Sequence, residues 1–145
     1  MQKQDRINMV APCGIDCGIC EAYLCAENRS LFDYLVSLGI PENKLPCTGC
    51  RNMKGACPVI AKPCATFDCV EAHGVEYCFE CNEFPCGKLH PSADRAEGLP
   101  HNLKMFNLCT IRRDGVEEFI GKSGEIKKKY FKGKMVIGSG PKTEE

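Results

Sequence analysis

Three CxxC pairs, Cys17/Cys20, Cys47/Cys50 and Cys78/Cys81, set among thirteen cysteines in 145 residues, constrain this chain more than any hydrophobic pattern in it. Two thiolates two residues apart point to the same side of a tight turn, so each pair can grip half of a soft, tetrahedral cation. The remaining ligands would come from Cys57, Cys64, Cys69 and Cys86, which lie between or just after the pairs. Cys47-Thr-Gly-Cys50 is the best knuckle, because Gly49 can take the left-handed turn that aims backbone N–H groups at the first sulfur. At four thiolates per ion, thirteen cysteines allow at most three fully thiolate sites with one cysteine over. The expected load is two or three zinc ions.

A disulfide framework is the rival use of so many cysteines, and it needs an oxidising compartment. The stretch Met1 to Val10 has no apolar run of the kind that directs export, and an odd number of cysteines cannot all pair within one chain. A cytoplasmic protein with reduced thiols is expected. No apolar stretch nears the ~18 residues needed to span a bilayer, so no membrane association is expected. The 19 basic and 19 acidic residues cancel, which leaves the chain without the positive footprint of a nucleic-acid binder. The local exception is the lysine run from Lys127 to Lys134, whose lysines and two aromatics could meet phosphates and bases. The simpler reading is a helix with Ile126, Tyr130 and Phe131 as its buried face and the lysines solvating the other.

The fold class expected is mainly α with irregular metal-held loops: a small cysteine-rich, zinc-knuckle-like module over 1–91, followed by short C-terminal helices over 92–145 that pack on it. Hydrophobic residues make up 43% of the chain, but the thirteen cysteines are about nine points of that and there is no Trp, so the module leans on metal for stability. Residues 1–12 read as a polar lead-in with a brief strand before Pro12. Glu21 to Glu27 is helical in composition. A second helix is capped by Ser30, buries Leu31, Leu35 and Leu38 on one face, and stops at Gly39 and Pro41. Pro46 to Pro63 has the composition of a loop. A short helix follows from Thr66 to His73 with Gly74 as its stop, and Leu89 packs under Phe84 after a proline-initiated turn. Ser92 to Gly98 reads as a linker. Leu103, Phe106 and Cys109 or Ile111 mark one amphipathic helix, and Val116, Phe119 and Ile120 another after the Asp114-Gly115 turn. Gly133 to Gly138 reads as a strand or extended tail and Ser139 to Glu145 as disordered.

Cys13, Cys17 and Cys20 share the C-x3-C-x2-C spacing with which radical S-adenosylmethionine enzymes hold a four-iron cluster, but the alternating strands and helices of those enzymes are missing here. A structural zinc completed by Cys25 or a more distant cysteine is the simpler use. Thiolates do not choose between zinc and iron, so an iron–sulfur cluster stays open beside zinc, as do labile redox thiols. Cys25 and Cys109 fall within apolar helical patterns and read as buried bystanders. His73, His90 and His101 lack an HxxxH or HxxE partner and read as surface or capping groups. Asp68, Glu80 and Glu83 read as solvated or supporting groups near the cysteines. No G-x-S-x-G, H-E-x-x-H or phosphate-binding loop is present. An enzyme is expected only if an ion keeps an open position.

The stretches Ala11-Pro-Cys-Gly-Ile-Asp-Cys-Gly-Ile-Cys-Glu-Ala-Tyr23, Cys47-Thr-Gly-Cys-Arg51 and Val75-Glu-Tyr-Cys-Phe-Glu-Cys-Asn-Glu-Phe-Pro-Cys-Gly-Lys-Leu89 together resemble a family of small cysteine-rich proteins common in anaerobic bacteria and archaea. That family is of unknown function and is suspected of binding zinc. Asn102-Leu-Lys and Gly115-Val-Glu-Glu-Phe-Ile120 also look like its C-terminal helices. The resemblance implies Cys13, Cys17, Cys20, Cys47, Cys50, Cys57, Cys64, Cys69, Cys78, Cys81 and Cys86 as metal ligands, with Cys25 and Cys109 as additions of this chain. Eleven does not divide by four, so one site takes a non-cysteine ligand, one carries a water, or one cysteine is free. The anaerobic setting it implies strengthens the iron–sulfur reading. Two functions follow: a zinc-stabilised binding or adaptor module that meets a protein partner, or an iron–sulfur or thiol redox protein.

Overall fold

The computed structural model describes residues 1–91 and 98–143, and over them the chain is mainly helical. Six α-helices are joined by loops and single 3-10 turns: α1 Lys3–Asn8, α2 Glu21–Leu24, α3 Arg29–Ser37, α4 Ala65–His73, α5 Lys104–Asp114 and α6 Val116–Lys132. A two-stranded antiparallel hairpin, β1 Lys134–Val136 with β2 Gly140–Lys142, follows in the register Met135↔Pro141. The linker reading of residues 92–97 and the disorder reading of residues 144–145 lie outside the described residues.

The polar lead-in is in fact α1, and the brief strand before Pro12 reduces to a bridge between Val10 and Asp16. Within that ribbon the Cys17 N–H donates to Met9 O at 2.8 Å and the Ala11 N–H to Ile15 O at 2.8 Å. A six-residue helix has almost no intrinsic stability, so α1 depends on contacts outside itself. One is Arg6, whose guanidinium donates to both Asp16 carboxylate oxygens, Nη1 to Oδ1 at 2.8 Å and Nη2 to Oδ2 at 2.6 Å. Asp16 is 4% exposed, and its remaining bonds come from the Gly18 N–H at 2.9 Å and the Ser123 hydroxyl on α6 at 2.7 Å. One buried carboxylate therefore ties together α1, the Cys17–Ile19 turn and α6.

The larger hydrophobic cluster joins the two ends of the sequence: Val10, Val70, Leu89, Leu108, Ile111 and Phe119 all belong to it, and Leu108 and Phe119 are fully buried. The close approach of α5 to the N-terminal ribbon fixes Gly14, whose φ is +90° and where a Cβ would lie 3.0 Å from the Leu108 side chain. Asn107 Nδ2 donates to Gly14 O at 3.0 Å across the same contact. The face expected for α5 is corrected here, because Phe106 and Cys109 point to solvent while Leu108 and Ile111 turn inward. A second cluster, Ala22, Cys25, Leu35, Leu45 and Cys47, is covered by Leu31 and Phe32 of α3.

Asn28, not Ser30, caps α3, its side chain accepting from the Leu31 N–H at 3.0 Å, and Leu38 lies exposed at the helix end. The stop of α4 is at Gly74, with φ +64°. In the lysine run, Lys127 is not simply solvated: its Nζ donates to Ile19 O at 2.6 Å and pairs with Glu21 at 2.7 Å. The tail expected to be disordered from Ser139 instead supplies β2.

Replacing Asp16 by asparagine strands a half-buried guanidinium and removes two charge-assisted bonds, so a loss of about 2–4 kcal/mol is expected, below the fully buried case because Arg6 keeps some water. Urea unfolding of the two proteins at equal metal content checks this; a loss under about 1 kcal/mol would make the pair an ordinary surface bridge.

Candidate metal centre

All thirteen cysteines are free thiols, and the fold gathers those expected as ligands from stretches far apart in sequence. Cys13 follows the N-terminal ribbon, Cys17 and Cys20 flank the 3-10 turn Cys17–Ile19, and Cys47 and Cys50 bracket a turn with Gly49 at φ +102°. The Gly49 N–H points at the Cys47 sulfur at 3.3 Å, as the knuckle reading requires, and a Cβ at Gly49 would meet Met9 Sδ at 2.9 Å. The Glu83 N–H approaches Cys81 Sγ in the same manner at 3.4 Å.

Two neighbourhoods emerge from which thiols act electrostatically on which. Cys50 is influenced by Cys13, Cys64 and Cys57, Cys17 by Cys50, Cys13 and Cys20, and Cys47 by Cys57. Cys13, Cys17 and Cys50 pack in the main cluster, with Cys57 and Cys64 acting on Cys50, whereas Cys47 and Cys20 pack in the second cluster with Cys25. Cys78 is influenced by Cys86 and Cys69 as well as by Cys13, so a second group adjoins the first. That second group surrounds a cavity of about 80 Å³ lined by Cys69, Cys78, Cys81, Cys86, His73 and Glu83.

Burial is the main influence on these thiols and pushes their pKa upward. It raises Cys13, Cys17, Cys20 and Cys47, and carries Cys50 and Cys78 up to about 12, with repulsion from neighbouring thiolates adding to it. Lys104 at the start of α5 pulls Cys13 and Cys78 the other way. Such thiols stay protonated at neutral pH unless a cation compensates them.

Cys25 lies in the second cluster beside Cys47 and Cys20, and Cys109 sits on α5. Cys25 is buried and its Sγ donates to Ala22 O at 3.2 Å, the behaviour of a small core residue. Cys109 is exposed, which corrects its reading as a buried bystander. His73 and Glu83 are the residues the sequence passes over. His73 sits four residues after Cys69 on α4, and that i, i+4 spacing is the signal that places both on one helix face. Its Nδ1 lies 2.8 Å from Cys69 O and 3.6 Å from Cys69 Sγ, while its Nε2 lies 3.1 Å from Glu83 Oε2. The Cys69 carbonyl first, and Glu83 second, raise the pKa of His73. Ligand atoms of His73, Cys81 and Glu83 lie within 4.8 Å of one another.

Residues 9–91 match the model of a family described as a protein of unknown function, DUF3795, a span of more than half the chain that holds all eleven candidate cysteine ligands. The match ends before α5 and α6. No curated protein and no solved structure matches the chain.

Because buried thiols must give up protons to ligate, zinc affinity is expected to climb with pH, by up to about tenfold per unit for each proton released. Competition against a chromophoric chelator from about pH 6 to about pH 8 measures the slope. A flat profile would mean that these thiols do not ligate.

Proposed function

The chain belongs to the DUF3795 family of proteins of unknown function, and we propose that it is a metal-binding protein whose thiolates hold two or three zinc ions and whose metal-held loops form a binding or adaptor module for a protein partner. One observation supports the reading: Cys13, Cys17, Cys50, Cys78 and Cys86, up to 73 positions apart (86 minus 13), pack in one cluster as free thiols, and Cys69, Cys78, Cys81 and Cys86 line one cavity beside it. Folding alone gives little reason to gather so many oxidisable thiols side by side, since each packs like a small hydrophobe and repels its neighbours once ionised. A soft divalent cation reverses that balance by stabilising several thiolates at once. The donor set fits zinc: sulfur-rich, with N–H groups aimed at the Cys47 and Cys81 sulfurs and Lys104 offsetting negative charge.

The role is structural for most of these ions, with bound metal adding to the stability of loops that have thin cores of their own. A reducing compartment such as the cytoplasm suits this chemistry. Among the described residues, no helix is long and apolar enough to cross a membrane. An iron–sulfur centre is the second reading, favoured by the grouping of Cys13, Cys17 and Cys20 with Cys50, and it would make the protein an electron carrier or redox sensor.

Purification without oxygen, followed by a visible spectrum and a count of zinc and iron per chain, tests both readings. Colourless protein with two or three zinc ions is expected; a brown protein with iron and acid-labile sulfide would overturn zinc in favour of a cluster. Replacing Cys47 or Cys78 by serine is expected to remove about one ion per chain and to destabilise the protein, whereas Cys109→Ser should leave both metal content and stability unchanged. Folded Cys47→Ser and Cys78→Ser proteins with full metal content would count against the thiolate assignment.

A further inference from the structure

The cavity beside α4 holds donors of three kinds, and their arrangement departs from an all-thiolate site. His73 Nδ1 faces the Cys69 carbonyl oxygen at 2.8 Å. A carbonyl can only accept, so the bond to Cys69 O is made by an Nδ1 that carries a proton, and Nε2 is the nitrogen available to a second partner. Nε2 faces Glu83 Oε2, 3.1 Å away. At this distance the imidazole and the carboxylate either share a proton as an ion pair or hold a metal ion together. Cys81 Sγ completes a triangle in which every pair of ligand atoms is within 4.8 Å. A tetrahedral zinc with bonds of about 2.0–2.3 Å spaces its ligand atoms by about 3.3–3.6 Å, so these groups need shift by only about an ångström to share one. The hydrogen bond from Nδ1–H to a backbone carbonyl is the arrangement that orients metal-binding histidines generally.

We propose that His73 Nε2, Cys81 Sγ and a Glu83 carboxylate oxygen form a mixed nitrogen, sulfur and oxygen site for a zinc-class divalent cation, whose fourth position takes water or a small anion. The inference rests on the metal-binding reading above and deepens it by giving one ion a different ligand set and a different behaviour. Cys69 stays outside the triad because its sulfur approaches the ring from the Nδ1 side, at 3.6 Å. Three protein ligands with a fourth exchangeable position is the plan of zinc sites that bind or activate small molecules, and closed thiolate sites lack it. Lys88 on the cavity wall favours an anion, such as a carboxylate, in that position. The His73 side chain is 37% exposed and that of Glu83 70%, so this ion meets solvent directly and exchanges faster than ions held among buried thiols.

The test uses the full chain as purified, with zinc released to a chromophoric chelator and followed in time. The wild type is expected to give up one equivalent rapidly and the rest slowly. His73→Ala and Glu83→Gln are each expected to lose the rapid equivalent, or to weaken it by about 10- to 100-fold, with the slow zinc retained. Glu83 lies at the surface, so Glu83→Gln keeps the test valid should His73→Ala disturb α4. Long-range proton–nitrogen spectra of the wild-type imidazole supply a readout that a purely structural role would not move: added zinc should shift Nε2 while Nδ1 keeps its proton. Unchanged release in both variants, with unchanged Nε2, would overturn the mixed site and leave the thiolate reading standing. Absence of any bound metal in the wild type, even after added zinc, would overturn both.

Discussion

The buried carboxylate of Asp16 sits inside the cysteine motif that it organises. Its Oδ1 holds the Gly18 N–H and so shapes the turn between Cys17 and Cys20, while its other bonds reach Arg6 on α1 and Ser123 on α6. A charge at this depth is tolerable only because every strong acceptor direction is filled. Space around it is tight: a Cβ on Gly18 would lie 2.7 Å from Arg6 Nη1, which the bonds to Asp16 hold in place, and this explains a glycine between Cys17 and Cys20. Cys17 and Cys20 are therefore positioned by an ion pair of the chain itself. The three-residue turn has no hydrogen-bonded ladder to hold it otherwise.

The two cysteine neighbourhoods differ in the work that surrounds them. The inner one is built from loops, and its thiols are pushed far from ionisation by burial, so the apolar surroundings oppose thiolate formation until a cation is present. The outer one rests on α4, a nine-residue helix with Phe67 and Val70 in the core and Cys69 and His73 on its outer face. Regular structure there presets the donors, and solvent reaches them. Rigid burial suits permanent retention, and a preset open rim suits exchange.

What the sequence made legible was local. The Gly74 stop of α4 depends on one left-handed residue next to a helical run, and the approach of an N–H to Cys47 depends on Gly49 within a four-residue turn. The predominance of helix was readable for the same reason. The misreadings share a different cause. Helix α1 is too short to announce itself and is held by Asp16 and by Glu117, which pairs with Lys3. On α5 the inward row Leu103, Asn107, Leu108 and Ile111 keeps the 3.6-residue count but includes the polar Asn107, with Thr110 beside it, so an apolar count at every third residue picks Phe106 and Cys109 instead. Strand β2 begins Gly-Pro, a pair that reads as a turn, and it forms because β1 supplies the partner. His73 resembled a helix-ending residue and is one, but its ring also meets Glu83 from a loop ten positions on.

The span of the Asp16 contacts bears on how the protein is made. During synthesis, residues 9–91 with all eleven candidate ligand cysteines leave the ribosome before Ser123 does, so the carboxylate at the centre of the first motif lacks one of its four bonds until α6 emerges. Leu108 and Phe119, which close the main cluster, arrive equally late. A nascent chain in that interval carries its sulfurs without the late helices that complete the fold around them. Newly made protein therefore passes through a stage in which its thiols are more open to solvent than they will be once the late helices have closed over them.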